Sequence, residues 1–204
     1  MSSKSPIHPG PVDWTGENPG IYLKDEQDGP WTGLMCFFRI FYSAYRMGTG
    51  IVVLDKPGIE KGYPGVGNFC ISDNEPLARY LIVDFFSKFA SFRASPGIRA
   101  VTHRRMTEAR REGSTLSNYS EIVRCADTEV VATWKDLSAP YAVDMPAETG
   151  PTKLHQMYSL FLDAKDASVT VNGRPLAGKV LQRDFAGTRK STAFLAFSES
   201  WIRV

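Results

Sequence analysis

The sequence has few of the residues and spacings that mark a metal site or a disulfide framework. It contains three cysteines, an odd number with no C-x-x-C pair, and three histidines scattered along 204 residues. We therefore predict no metal, no cofactor and no disulfide framework. A metal site made of His103, His155 and Glu121 would need neighbouring strands to bring these side chains together, and it is the less favoured alternative.

Nucleotide-binding and serine-hydrolase fingerprints are also missing. The glycines at 48–50 and 62–67 do not open a helix after a strand, so they match neither a phosphate-binding loop nor a dinucleotide fingerprint. No G-x-S-x-G occurs. The second glycine group lies in a long loop, and its Tyr63, with the neighbouring Phe69, suggests a lid across a cavity mouth. Any chemistry would have to be carried by ordinary side chains.

Neither a long hydrophobic run nor an excess of one charge stands out. No stretch approaches about 18 apolar residues, and the first ten residues lack the apolar core of a signal peptide. The 24 basic residues nearly balance the 22 acidic ones, which gives a net charge of +2. We predict a cytoplasmic protein with no membrane partner and no nucleic-acid partner.

Strand-forming residues dominate what is present. Trp31–Tyr45 is rich in aromatic and branched side chains, which favours a strand buried on both faces. From residue 97 onward, strand-like segments recur about every ten residues with turns between them, as is typical of an antiparallel meander. Glu129–Leu137 shows the clearest alternation, and Asn172-Gly173 is the strongest hairpin signal in the chain.

One helix is predicted, near residues 75–90. Asn74 is a suitable N-cap, and Glu75 and Pro76 occupy the first turn, which is the order that a helix start prefers. Leucine and phenylalanine then recur every four residues. This stripe is too apolar for solvent, so the helix should pack against the sheet.

The elements together predict an all-β or β-dominated α+β protein. We expect an extended N-terminal arm over residues 1–30, with a short strand at Gly20–Lys24, followed by one antiparallel β-barrel domain over residues 31–204. An early strand, a helix and then an antiparallel meander resemble the general layout of the calycin group of ligand-binding barrels. Gly29-Pro30-Trp31 is a loose match to the Gly-x-Trp of lipocalins, and no residue roles are transferred from that group.

The strand Leu154–Leu162 carries a histidine whose role depends on which face is buried. His155 shares a face with Met157, Ser159 and Phe161, whereas the even-numbered residues are the more apolar set. This favours an interpretation in which the even face meets the core and His155 lies at a wet edge. The alternative buries the odd face and makes His155 an interior acid or base.

The last strand, Thr192–Arg203, poses the same question for a carboxylate. Alternation places Glu199 with Leu195, Phe197 and Trp201 on one face. If that face points inward, rings surround the carboxylate and raise its pKa, and a partner such as Arg183 or Arg105 is required. A solvated Glu199 is the commoner arrangement. For Arg183-Asp184 a surface ion pair with a neighbouring strand is favoured, with Arg183 as an anion binder the alternative.

These residues support two functions. The first is binding of a small apolar or aromatic molecule inside a barrel cavity. The second is a cofactor-independent lyase or isomerase, in which His155, Glu199 or Asp184 moves protons and Arg183 anchors an anion. The further predicted binding residues are Arg105, His103, Trp134, Tyr119 and Tyr158. A homodimer joined through residues 34–42 and 77–92, with no ligand, is a third hypothesis.

Overall fold

The computed structural model describes residues 10–59 and 67–204, and strands dominate this part of the chain. The prediction of a β-dominated protein is confirmed. The strands are β1 (Val12–Glu17), β2 (Gly20–Lys24), β3 (Trp31–Ser43), β4 (Gly48–Leu54), β5 (Asn68–Ser72), β6 (Thr102–Arg105), β7 (Glu108–Gly113), β8 (Tyr119–Arg124), β9 (Glu129–Leu137), β10 (Tyr141–Met145), β11 (His155–Val171), β12 (Arg174–Pro175), β13 (Gln182–Phe185), β14 (Thr188–Ser191) and β15 (Ala193–Arg203).

The predicted helix is present between β5 and β6, but it is not one continuous run. Its start is as predicted, since the Asn74 side chain accepts a hydrogen bond from the Leu77 amide at 3.2 Å. Phe85 and Phe89 leave helical backbone angles, and their rings pack against Trp201. The segment consists of α1 (Glu75–Tyr80), a π-helical turn (Leu81–Phe85), a 3-10 turn (Phe86–Lys88), α2 (Ala90–Arg93) and a second 3-10 turn (Pro96–Ala100).

The first of the strands predicted from residue 97 onward starts later than expected. Pro96–Ala100 forms the second 3-10 turn, and strand pairing begins only at Thr102. No helix within residues 10–59 and 67–204 is long and apolar enough to cross a membrane.

In the described part of the chain, thirteen strands form one sheet and β13 and β14 form a separate hairpin. The main order is β6-β5-β4-β3-β1-β15-β11-β9-β8-β7, with β2 between β3 and β15 beyond the end of β1. All neighbours are antiparallel except β5 and β6, which are parallel. Two adjacent residues join the ends of this order. The Met106 amide donates to Ser72 O at 2.9 Å, and the Thr107 amide donates to Arg124 O at 2.8 Å.

Residues 12–24 lie inside the sheet and do not form an arm beside it. β1 pairs with both β3 and β15, and β2 pairs with the same two strands. The strand predicted at Gly20–Lys24 is confirmed at those bounds. The prolines and glycines around it suggested an arm, but pairing with the distant C-terminal strand satisfies its backbone groups.

Two hydrophobic clusters cover the two faces of the sheet. Alternation along β3 sends Cys36 and Phe38 to one cluster and Met35 and Phe37 to the other, which confirms a strand buried on both faces. The helix-side cluster lies under the helical segment, and its largest buried members are Trp14, Phe38, Phe85, Phe86, Phe92 and Trp201. The far-side cluster includes Phe37, Phe69, Tyr119, Trp134 and Leu195.

The hairpin predicted at Asn172-Gly173 is confirmed. Both residues have positive φ, 50° and 76°, as a two-residue turn matching the sheet twist requires. The strand predicted at Leu154–Leu162 is the first part of a longer one, since β11 runs without a break for 17 residues. Its length lets its first half pair with β10 and β15 and its second half with β9 and β12.

Candidate functional site

A cavity of about 470 Å³ lies between the helix-side face of the sheet and the segment around α2. Its floor comes from β2, β11 and β15, and its walls come from residues 88–93, the loop 149–153 and the β13–β14 hairpin. The volume falls within the range of small-molecule sites in proteins.

Aromatic rings make up much of the floor. The centroid of Phe161 lies 4.9 Å from that of Phe185 and 5.7 Å from that of Phe194, and Tyr22 lies 5.4 Å from Phe194. Trp201 lines the same space and stacks on Phe89 at 5.8 Å. Such rings offer flat apolar faces, which suit an aromatic or hydrocarbon ligand.

Arg183 brings a positive charge into this aromatic surround. Its guanidinium carbon lies 4.1 Å from the centroid of Phe194 and 4.6 Å from that of Phe185. Nε donates to Ser191 O at 3.2 Å, while the buried Nη2 has no hydrogen-bond partner in the described residues. Burial lowers the pKa of Arg183, although a guanidinium stays protonated at neutral pH. Within the described residues, Arg183 does not form the surface ion pair predicted with a neighbouring strand, whereas Asp184 forms one with Arg189 of β14 at 3.3 Å.

The β13–β14 hairpin positions this arginine. Ala186 and Gly187 form its tip with φ of 49° and 76°, a two-residue turn of the same kind as Asn172-Gly173. Alternation along β13 then points Arg183 and Phe185 toward Phe194 and leaves Asp184 exposed at the mouth. At the base of the hairpin, the Ser191 hydroxyl donates to Ala164 O at 2.7 Å. The hairpin therefore closes one side of the cavity.

Glu199, on β15, supplies a buried carboxylate to the floor of the cavity. It is 3% exposed, and its Oε2 accepts hydrogen bonds from Asn18 Nδ2 at 3.2 Å and from Trp201 Nε1 at 3.0 Å. Within the described residues, Oε1 receives no hydrogen bond. Burial raises the pKa of Glu199 to about 7, against the two hydrogen bonds and the charge of Arg183, which lower it. The carboxyl can therefore exchange a proton near neutral pH.

A β-bulge brings Glu199 to this face. Leu160 pairs with Phe197 and Tyr158 pairs with Ser200, so β15 has one extra residue between these pairs. Ser198 takes up the extra residue with φ of 58°. The prediction that Glu199 and Trp201 share a face with Leu195 and Phe197 is therefore wrong. Glu199 and Trp201 line the cavity, whereas Leu195 and Phe197 lie at the far-side cluster.

The sequence reasoning missed the residues that hold Glu199. Asn18 follows β1, and its Oδ1 accepts a hydrogen bond from the Cys36 thiol at 2.7 Å. Burial raises the pKa of Cys36 well above its usual value, so the thiol remains a donor. Because Asn18 and Glu199 are 181 residues apart, no local pattern could have joined them. The spacing of Glu199 and Trp201 by two residues was the one available signal.

The cavity mouth is mainly basic. Lys88, Arg93 and Lys153 line it from exposed positions, against the single exposed acid Asp184. Lys153 Nζ donates to Glu148 O at 2.8 Å. Exposed charges of this kind attract an anion to the entrance more than they hold it.

His155 is buried, but it does not line the cavity. Its Nε2 lies 2.5 Å from Asp13 Oδ2, its Nδ1 lies 3.0 Å from Thr152 Oγ1, and Phe85 packs on its ring. The favoured prediction of a wet edge is wrong, because Asp13 and Thr152 satisfy both ring nitrogens inside the protein. The alternative is right about burial, and the proposed proton-transfer role stays an untested prediction.

The predicted ring residues lie elsewhere in the fold. Trp134 belongs to the far-side cluster, and its Nε1 donates to Gly20 O at 3.1 Å. Tyr119 lies in the same cluster and donates to Glu121, which also accepts two hydrogen bonds from Arg39. Tyr158 is half-buried beside Gln156, whose amide donates to its hydroxyl at 2.7 Å. None of the three predicted rings lines the cavity.

The two predicted residues on β6 are also remote from the cavity. Arg105 is exposed, and His103 is half-buried with no partner for Nδ1 among the described residues. Burial and the charge of Arg79 lower the pKa of His103. The alternative metal trio of His103, His155 and Glu121 is not assembled, and residues 10–59 and 67–204 hold no cluster of three or more such ligands.

Of the two aromatic residues predicted to form a lid, Phe69 lies in the sheet and Tyr63 is not described by the structure. Phe69 is 1% exposed in β5 and belongs to the far-side cluster. Tyr63 lies outside the described residues.

No model of a protein family matches the chain, and neither the curated proteins nor the solved structures contain a significant match to it.

Proposed function

We propose that this protein binds a small apolar or aromatic molecule in the cavity between the β13–β14 hairpin and α2. The observation that carries the proposal is a ring-lined space of about 470 Å³ into which two incompletely bonded polar groups, Arg183 and Glu199, are built. A buried polar atom without a partner costs about 1–3 kcal/mol, so the unpaired Arg183 Nη2 beside this cavity favours a ligand that accepts a hydrogen bond from it.

The proposed site differs in place from the one predicted inside a barrel. The far-side face carries Phe37, Phe69 and Trp134 in a packed cluster, whereas the cavity opens on the helix-side face. A ligand there would lie against Phe161 and Phe194, with the hairpin as its cover.

Calorimetric titration with the neutral probe 2-naphthamide tests the proposal. We expect saturable binding at one site per chain, and we expect the Phe194→Ala variant to bind at least about tenfold more weakly, because it removes the central ring of the floor. Trp134→Phe, a change in the far-side cluster, is the matched control and should bind as the wild type does. Absence of saturable binding, or equal losses in both variants, would contradict the proposal.

A second candidate function is proton transfer in a cofactor-independent isomerase or lyase. Glu199 favours it, since a carboxyl whose pKa is about 7 and whose Oε1 is open to the cavity can act as a general base. In an isomerisation, the carboxylate would take a proton from carbon next to a carbonyl, and the C–H electrons would form a C=C bond as the oxygen becomes an enolate beside Arg183. Return of the proton to a different carbon completes the reaction and restores Glu199.

The two candidates are separated by one variant. Glu199→Gln keeps an oxygen for the hydrogen bonds from Asn18 and Trp201 but cannot take a proton. In an isomerase it should bind ligand and lose turnover, whereas a carrier has no turnover to lose. Of the other predicted bases, His155 lies outside the cavity and is hydrogen-bonded to Asp13, and Asp184 is exposed at the cavity mouth; their roles in proton transfer stay untested predictions.

We also propose that the sheet is closed as a barrel with a calycin-like layout. Met106 and Thr107 connect β6 and β7, the two ends of the strand order, and their amides donate to Ser72 O in β5 and to Arg124 O in β8. Each residue is therefore bonded to its own end of the order while one peptide bond joins the two residues, which supports closure. Slow hydrogen exchange at both amides is expected, and exchange at the rate of a frayed edge would contradict it.

The cytoplasmic location and the homodimer stay untested predictions. The dimer hypothesis rested on residues 34–42 and 77–92. Most apolar residues of 77–92 lie in the helix-side cluster with the even-numbered residues of 34–40, whereas Met35 and Phe37 lie in the far-side cluster and Phe41 and Tyr42 are exposed.

A further inference from the structure

Arg183 is a cation without a counter-ion. None of the ion pairs formed by the described residues includes it, although its Nη2 is buried and three aromatic rings surround the guanidinium. The charge of Asp163 acts on Arg183, but the Asp163 carboxylate already accepts hydrogen bonds from the Tyr141 hydroxyl and the Ser191 amide. A buried charge is costly unless it is paired, so the cavity offers a place for a ligand anion.

The rings around Arg183 restrict what that anion can be. Phe185 and Phe194 stack on the guanidinium and Phe161 contacts both, so a ligand that reaches Arg183 must also fill an apolar space. A planar carboxylate matches the fork of a guanidinium, and an aromatic body matches the rings.

Glu199 makes the charge balance of this space depend on a proton. When Glu199 is ionised, it offsets Arg183 across the cavity. A ligand anion then brings a second negative charge into an apolar region that holds one buried cation, which is unfavourable. Protonation of Glu199 removes that conflict.

Resting on the ligand-binding function proposed above, we infer that the cavity takes up an aromatic carboxylate together with one proton, with Arg183 pairing with the ligand carboxylate and Glu199 receiving the proton.

The other charged or titratable groups around Glu199 leave this assignment intact. The side chains of Tyr22 on β2 and Cys36 on β3 face it, and burial raises the pKa of both, so both stay neutral. The charged residues that line the mouth are exposed and screened by solvent; they are Lys88, Arg93, Lys153 and Asp184. Glu199 is therefore the cavity group that changes charge near neutral pH.

Two probes of the same shape test the inference in the full-length protein. 2-Naphthoate is an anion throughout the working pH range, and 2-naphthamide is its neutral counterpart. Because free Glu199 titrates near 7, the Kd for naphthoate should rise about thirtyfold from pH 6 to pH 8.5, while that for naphthamide should change less than about twofold. Calorimetry in two buffers of different ionisation enthalpy should show uptake of about 0.9 proton per naphthoate at pH 8.

Three variants assign the roles. Glu199→Gln should bind naphthoate with a Kd that no longer depends on pH and without proton uptake. Arg183→Met should lose the preference for naphthoate over naphthamide while still binding naphthamide. Arg189→Met, an exposed arginine on the same hairpin, is the control and should leave the preference and the proton uptake unchanged.

The outcomes separate this inference from the function on which it rests. If wild-type protein binds naphthamide but shows no preference for naphthoate, or binds naphthoate without taking up a proton, the inference is wrong and ligand binding stands. If neither probe binds, both are wrong. Should Glu199→Gln fail to fold, the proton uptake of the wild type still decides the point.

Discussion

Replacing Glu199 by glutamine should change how the stability of the protein depends on pH. Burial raises the pKa of this carboxyl from 4.5 to about 7 in the folded protein. Well below pH 4.5 the group is protonated in both the folded and the unfolded state, so it does not change the free energy of unfolding. Between pH 4.5 and 7 the unfolded chain releases the proton while the native protein keeps it, so the free energy of unfolding falls as pH rises. Above pH 7 the loss is complete.

The size of the effect follows from the two pKa values. A difference of about 2.5 units corresponds to about 3 kcal/mol, a large part of the 5–15 kcal/mol that typically separates folded from unfolded domains. Glutamine has no proton to release and retains an oxygen for Asn18 and Trp201. The stability of Glu199→Gln relative to the wild type should therefore increase by about 3 kcal/mol between pH 4.5 and pH 8.

Urea denaturation followed by tryptophan fluorescence at several pH values measures this difference. Subtracting the free energy of unfolding of the wild type from that of Glu199→Gln at each pH removes the contribution of all other titrating groups. Glu148→Gln, which removes an exposed carboxylate beside the cavity loop, is the matched control and should follow the wild-type curve. A constant difference between Glu199→Gln and the wild type across this pH range would refute the claim that Glu199 is buried with a raised pKa.

Three further changes test other parts of the structure by the same denaturation measurement. Arg39→Met leaves the fully buried Glu121 without the arginine that donates to both of its carboxylate oxygens, and it should lower the free energy of unfolding by about 3 kcal/mol. The exposed Arg189→Met should lower it by less than about 1 kcal/mol. Equal losses in the two variants would contradict the buried pair. Ser198→Gly should stabilise the protein by up to about 1 kcal/mol, because glycine adopts the positive φ of the bulge without strain, and a loss of stability would argue against that bulge. His155→Ala should cost about 3 kcal/mol yet leave the Kd for 2-naphthamide within about twofold of wild type; weakened binding at unchanged stability would place His155 at the ligand.

Local features of the fold were readable from the sequence. Asn172-Gly173 and the Asn74 cap depend on the conformational preferences of single residues, so their signals survive in any tertiary setting. Strand β9 matches its predicted bounds, Glu129–Leu137, because one of its faces is buried and the other is not. The place of β2 between β3 and β15 was not readable, since β15, one of its two partners, lies more than 170 residues away.

The candidate site shows the same division. Glu199 and Arg183 could be singled out from the sequence because each is a charged residue close to aromatic ones, and this holds whichever face of the strand is buried. The face on which Glu199 lies could not be predicted, because side chains alternate strictly only in a strand without an extra residue. Nothing about a serine at position 198 signals the bulge: its positive φ results from the pairing of Phe197 with Leu160 and of Ser200 with Tyr158 on either side of it. His155 was misjudged for a related reason. Its face contains fewer apolar residues, and a hydrogen bond between His155 and Asp13 makes that face suitable for the interior.

A crystal structure of the protein with 2-naphthoate would test ligand binding in this cavity most directly. We expect the naphthyl rings to lie against Phe161 and Phe194, with a carboxylate oxygen within about 3.5 Å of a guanidinium nitrogen of Arg183. A naphthoate held at the surface by Lys88 or Arg93, with the space under the hairpin unfilled, would contradict both the proposed site and the role of Arg183.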